Sequence, residues 1–133
     1  DVDLTSELCQ TAFVVMEKNR QAELAFKLLQ LIRVKASHMY TTDTCNMVLH
    51  LCRLSGNQDL LLKQYEIQRD DPRIELDVSS YSEIVQGLEQ AGSWDMAVKL
   101  LQEMEKSQIM PSKDLLSTSI GRYYFQRHKN HIH

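Results

Sequence analysis

The chain carries one phrase twice. "AELAFKLLQLI" at residues 22–32 and "WDMAVKLLQEM" at residues 94–104 share Ala25/Ala97, Lys27/Lys99, Leu28/Leu100, Leu29/Leu101 and Gln30/Gln102, an offset of 72 residues. Half of that offset is populated too. Lys63 lies midway between Lys27 and Lys99, and Gly56, Asp59 and Cys9 stand 36 residues before Gly92, Asp95 and Cys45. At the same step Phe13/Leu49/Val85, Ala12/Val48/Ile84 and Met16/Cys52/Leu88 stay apolar or small. A fixed period of this length marks a repeat array, in which a unit too small to bury its own apolar face stacks on its neighbours. The period divides the chain into a lead-in at residues 1–5, a divergent repeat 1 at 6–41, repeat 2 at 42–77 and repeat 3 at 78–112. Residues 113–133 form a partial repeat or capping helix with a frayed tail.

Each unit reads as two helices. Tyr81, Ile84, Val85 and Leu88 recur at spacings of three and four, so "SYSEIVQGLEQ" is amphipathic. Ala91-Gly92 supplies a stop and a turn. A second helix opens at Asp95, carries Met96, Ala97, Leu100, Leu101 and Met104 on one stripe, and ends near "KSQIMPS", where Pro111 forbids continuation. "LCQTAFVVMEK" with "AELAFKLLQLIRVK", and "TCNMVLHLCRL" with "LLLKQYEIQR", follow the same plan, the latter broken by "DDPR". No segment alternates as a strand does, so the fold class is all-α.

Other classes are excluded by composition. Hydrophobic residues at 43% and charged residues at 25% are ordinary for a globular chain, which argues against disorder. No apolar run approaches the roughly 18 residues that span a membrane. Three cysteines, an odd number without CxxC spacing, argue against a disulfide framework. The opening "DVDLTSEL" has no Met, basic region or apolar region, which suggests a fragment or processed form without a visible targeting segment. A formal charge of −3 supplies no global attraction for nucleic acid. There is no Ser/His/Asp set, carboxylate pair or Gly-rich phosphate loop, so neither an enzyme nor a small-molecule substrate is expected.

Residues 78–112, "VSSYSEIVQGLEQAGSWDMAVKLLQEMEKSQIMPS", closely resemble a pentatricopeptide repeat. The resemblance is carried by the Val-x-x-Tyr start, the Ala-Gly that closes the first helix, the Ala-x-x-Leu-Leu-x-x-Met second helix and the Pro before the end. Residues 42–77 resemble a more divergent copy, "TCNMVL" standing for the family's Thr-Tyr-Asn opening with Cys45 in place of the aromatic. Residues 6–41 join mainly by register. The resemblance implies a right-handed α-α superhelix (solenoid) of helical hairpin repeats, about seven helices here. It also implies single-stranded RNA as partner, one base per repeat read by two or three side chains, and a mitochondrial or plastid location. Family members serve RNA processing, stability or translation.

In the family, base choice rests mainly on the fifth residue of the first helix and the last residue of the repeat. Here these are Gln10 with Thr41, Asn46 with Asp77, and Ser82 with Ser112. Asn with Asp is a family pair associated with uracil; the other two pairs are not standard. Asn46 and Asp77 suit helix capping equally well. The second residue of each repeat, usually aliphatic in RNA readers, is Glu7, Asp43 or Ser79, and the family's phosphate-contacting Lys is present at Lys18 but replaced by Leu54 and Gln90. Those departures, with the acidic charge, motivate an alternative in which the repeats pack on protein subunits of a larger complex.

The remaining side chains invite blander assignments. Cys9, Cys45 and Cys52 fall on apolar stripes and are expected to be buried. His128, His131 and His133 sit in a tail without acidic or Cys partners, so no metal or cofactor is expected. Tyr123, Tyr124 and Phe125 should pack on the last repeat, with Arg122, Arg127, His128 and Lys129 suiting a helix C-terminus; a basic and aromatic mixture is also what single-stranded RNA can use. Trp94 is expected to pack against a neighbour.

Overall fold

A computed structural model of the chain describes residues 5–127. Among these residues the fold is all-α, without strands: α1 (Ser6–Lys18), α2 (Ala22–Lys35), α3 (Thr42–Leu54), α4 (Gln58–Asp70), α5 (Val78–Gln90), α6 (Trp94–Lys106), α7 (Lys113–Ser117) and α8 (Ser119–Arg127), with a short 3₁₀ turn at Ser37–Met39. The first helix of each pair begins at Ser6, Thr42, Val78 or Lys113, steps of 36, 36 and 35 residues. Two compact units divide the chain, one through Glu75 and one from Leu76.

In the first unit α1 pairs with α2 and α3 with α4, and α2 also lies against α3 and α4. Phe13, Leu29, Ile32, Leu49, Leu51 and Leu61 are almost wholly removed from water. Burial of side chains this size contributes about 1.5–3 kcal/mol each. The three cysteines belong to this core, as expected. Burial pushes the Cys45 thiol up to about 11 and that of Cys52 up to about 12, so neither is a thiolate at neutral pH. In the second unit α5 pairs with α6, α5 meets α7, and α6 meets α8 around Ile84, Leu88, Leu101, Met104, Leu115 and Ile120.

The turn inside each hairpin is the same device. Gln21, Asn57 and Ser93 donate backbone N–H to the carbonyls of Met16, Cys52 and Leu88, five residues back. The residues just before them, Arg20, Gly56 and Gly92, have φ of +52°, +68° and +78°. This left-handed C-cap satisfies carbonyls that the helix end leaves open and is cheapest for Gly, which has no Cβ. Repeat 1 puts Arg20 there, and its guanidinium donates to the Leu54 carbonyl at the end of α3 while Ser55 Oγ donates to the Arg20 carbonyl at 3.1 Å. The same cap closes α6 at Gln108, φ +59°, with Ile109 donating to Met104. That cap, ahead of Pro111, is what stops the helix.

The "DDPR" break does more than end α4. Asp71 is buried, and its carboxylate accepts from the backbone N–H of Arg73 at 2.9 Å and from the Arg73 guanidinium at 2.8 and 3.1 Å, with Arg33 of α2 at 3.7 Å. The hydrogen bonds from Arg73 hold the carboxyl down at about 2, against its burial. Arg33 and Arg73 also lie over the Tyr40 ring, 5.8 and 5.0 Å from its centroid. Asp71 and Arg73 of the break thus tie the end of α4 to Arg33 of α2 and to Tyr40.

The described residues contain eight α-helices, in keeping with the about seven expected, the last segment being divided in two at Thr118. Its backbone is extended (ψ 155°), and its hydroxyl accepts from Gly121 N–H at 2.9 Å, opening α8 as a separate helix. Trp94 opens α6 but remains 43% exposed, so packing within the described residues does not account for it. The aromatic cluster divides: Tyr124 is buried, donates to Glu105 Oε1 at 2.9 Å and meets Phe125 edge-on, whereas Tyr123 faces solvent beside Arg127.

Candidate nucleic-acid interface

The last residue of each repeat is a helix cap. Thr41 Oγ1 accepts from Thr44 N–H at 3.3 Å, Asp77 Oδ1 from Ser80 N–H at 2.9 Å, and Ser112 Oγ from Leu115 N–H at 3.2 Å. Thr5 does the same for Leu8 at 3.1 Å. Asp77 goes further, since Ser80 Oγ accepts from the Asp77 N–H at 3.1 Å and closes a capping box. Capping therefore describes Asp77, and equally Thr41 and Ser112.

Capping does not describe Asn46. It is the fifth residue of α3, only 9% exposed, and its Oδ1 accepts from Gln68 Nε2 of α4 at 3.4 Å. Asp77 belongs to the other unit. Ser82 is also buried, and its hydroxyl accepts from Gln86 Nε2 one turn on, at 2.8 Å. Gln10, by contrast, is exposed on α1.

Gln10 and Thr41 come together. Both line a cavity of about 450 Å³ in the first unit, together with Asp43, Thr44 and Met47 of α3, Phe13 of α1, Ile32 of α2, and His38 and Met39 from the 3₁₀ turn. The slot combines a flexible primary amide, a capping hydroxyl and a carboxylate with apolar lining residues. Met47, 38% exposed, and Met39 supply the apolar surface that the second residues of the repeats lack. Met47 escaped attention at the level of sequence, although it stands one helical turn after Asp43 and so shares its face. A planar base with hydrogen-bonding edges matches such a slot.

The second residues Glu7, Asp43 and Ser79 are all exposed, and Asp114 occupies the same register in α7. Glu7, Asp43 and Asp114 lie in first helical turns, where the partial positive charge of the helix start favours a carboxylate. Of the basic tail, Arg122 and Arg127 are exposed on α8; His128, Lys129, His131 and His133 lie outside the described residues.

Residues 64–123 match the family model of the pentatricopeptide repeat domain. Over that stretch the chain is similar to a pentatricopeptide repeat domain. The match runs from within α4 through α5, α6 and α7 into α8, so it includes the segment after residue 112. No curated protein and no solved structure matches the chain. Pentatricopeptide repeats generally bind RNA, are typically non-catalytic and occur commonly in organellar proteins. Among the described residues no helix is long and apolar enough to cross a membrane, and no group of His, Cys, Asp and Glu is placed to hold a metal ion.

Proposed function

We propose that this pentatricopeptide-repeat segment binds single-stranded RNA, without catalysis, in organellar RNA processing, stability or translation. The observation that carries the proposal is the slot of the first unit, where the base-reading positions Gln10 and Thr41 line one cavity with Met47. The family match supports the RNA class and the organelle; Asn46 with Asp77 supports uracil at repeat 2, and Ser82 with Ser112 would serve the next base. Binding to a pool of short single-stranded RNAs is expected at low salt, weakening steeply as salt rises. The double variant Gln10→Ala with Met47→Ala should lower affinity by about tenfold, the loss of one stacked and hydrogen-bonded base. No binding at low salt, or an unchanged affinity in the variant, defeats the proposal for this segment.

A second reading draws on the exposed carboxylates Glu7, Asp43 and Asp114, which repel phosphate. In that reading the repeats form a scaffold that packs on protein subunits of a larger complex. Stoichiometric protein partners that co-purify after nuclease treatment would favour it over RNA.

A further inference from the structure

Asp71 is approached by two guanidiniums, and its carboxylate needs only one of them. Arg73 satisfies it through the backbone N–H at 2.9 Å and the side chain at 2.8 and 3.1 Å. Arg33 stands beyond hydrogen-bond reach of the same group, its Nε 3.7 Å from Oδ2, and it donates no hydrogen bond among the described residues. The two arginines share a second support, the ring of buried Tyr40, whose centroid lies 5.8 Å from the Arg33 guanidinium carbon and 5.0 Å from that of Arg73. Because both reach Asp71 Oδ2, at 3.7 and 2.8 Å, their nearest nitrogens are no more than the sum of those distances apart, 6.5 Å. Two positive charges thus flank a single carboxylate.

Like charges held this close repel, so a second arginine at a satisfied carboxylate calls for a partner of its own. The other repeats do without the arrangement: the position of Arg33 holds Arg69, paired with its neighbour Asp70, and Glu105. The side chains of Arg33 and Arg73 are 38% and 47% exposed, and Arg73 Nη1 stays open while Nε and Nη2 serve Asp71. Their frame is fixed. Ile74 is buried and donates its N–H to the Asp71 carbonyl at 3.0 Å, and Thr42 Oγ1 donates to the Glu75 carbonyl at 3.0 Å. Arg33 follows Ile32 in the chain and Tyr40 precedes Thr41, and both Ile32 and Thr41 line the slot of the first unit. Planar guanidiniums steadied on an aromatic face and carrying open N–H groups are suited to phosphate oxygens.

We propose that Arg33 and Arg73 clamp a backbone phosphate of the single-stranded RNA whose base enters the Gln10–Thr41 slot. Arg33 supplies the donors that the protein leaves unused, Arg73 adds Nη1, and Asp71 with Tyr40 holds the two guanidiniums side by side. The clamp rests on the RNA-binding reading proposed above, and it supplies at repeat 1 a local cationic site in a chain whose net charge is −3.

The test compares wild type, Arg33→Gln and Arg33→Lys in the full chain. Affinity for uridine and adenosine dodecamers is measured from low to physiological salt, with melting temperature beside it. Arg33→Gln should lower affinity by about tenfold at low salt for both RNAs alike, since a phosphate carries no sequence. The slope of log affinity against log salt should become shallower by about 0.7, one phosphate contact fewer on a single strand. Arg33→Lys keeps the charge without the fork, so it should keep the slope and only part of the affinity. Melting temperature should change little, because Arg73 continues to satisfy Asp71. A merely structural arginine would move the melting temperature and leave the salt slope in place, and that result overturns the clamp. An equal change of slope in Lys99→Gln, an exposed cation of the other unit, would make the effect one of net charge and overturn it too. If Gln10→Ala with Met47→Ala weakens binding while Arg33→Gln keeps both affinity and slope, the clamp is wrong and the slot reading stands. If wild type binds neither RNA at low salt, the RNA reading itself fails and the clamp falls with it.

Discussion

Arg20 shows how a single residue departs from its repeat without destroying it. Gly56 and Gly92 adopt the left-handed cap conformation at no steric cost, whereas Arg20 holds φ +52° with a full side chain. Its compensation is the bond to the Leu54 carbonyl. Arg20→Ala and Arg20→Gly both lose that bond but differ in backbone freedom. Arg20→Gly should therefore be the more stable of the two by about 1 kcal/mol in urea titration. Equal stabilities would show that the cap is unstrained. Asp71 gives the second prediction at this scale. Its folded value, about 2, lies below the unfolded value of about 4. The stability it contributes is therefore fully present above pH 4 and is lost as pH falls from about 4 toward 2. The stability difference between wild type and Asp71→Asn should shrink through that window and stay constant from pH 5 to 7.

At the scale of elements, the break between α7 and α8 depends on Gly121. A Cβ there would lie 2.0 Å from the Leu115 carbonyl oxygen and 2.7 Å from Thr118 Oγ1. The first contact is with backbone and cannot be relieved by a rotamer. Gly121→Ala should cost about 2–3 kcal/mol in urea denaturation, in the range of forced overpacking; a cost below about 0.5 kcal/mol would mean that the two helices can part freely. Gly121 also marks where sequence patterning runs out. The helices of the three hairpins were legible because the apolar period and the turn residues Gly56 and Gly92 agree. The Thr118 break was not, since "LLSTSIGRYY" keeps a helical spacing and the competing signal is a hydroxyl capping one residue type among several able to do so. The candidate site was legible only in part. Gln10 and Thr41 followed from the repeat register, but Met47 and Gln68 depend on which face of a helix meets the cavity or the core. Gln68 did leave a trace, as a polar letter on a stripe that is apolar in the other copies.

For the molecule as a whole, charge opposes the proposed ligand. The net charge is −3, and carboxylates recur at the second position of repeats 1 and 2 and again in α7. The triple variant Glu7→Gln, Asp43→Asn and Asp114→Asn should raise affinity for single-stranded RNA several-fold at low salt, with the gain shrinking as salt screens it. Its stability should fall by about 1–3 kcal/mol in all, because each carboxylate favours its helix start by about 0.3–1 kcal/mol. An unchanged affinity, measured by fluorescence anisotropy, would place the RNA path away from these carboxylates. The capping residues bear on how such an array can change its target. Thr41, Asp77 and Ser112 each cap the start of a helix, so the letters tolerated there are already confined to Ser, Thr, Asp and Asn, which exchange at little cost to the fold. Folding thereby sets the vocabulary, and drift within that vocabulary is nearly neutral for stability. If these positions read bases, as proposed above, a lineage carrying this architecture can try new specificities one repeat at a time, with the scaffold intact at every step.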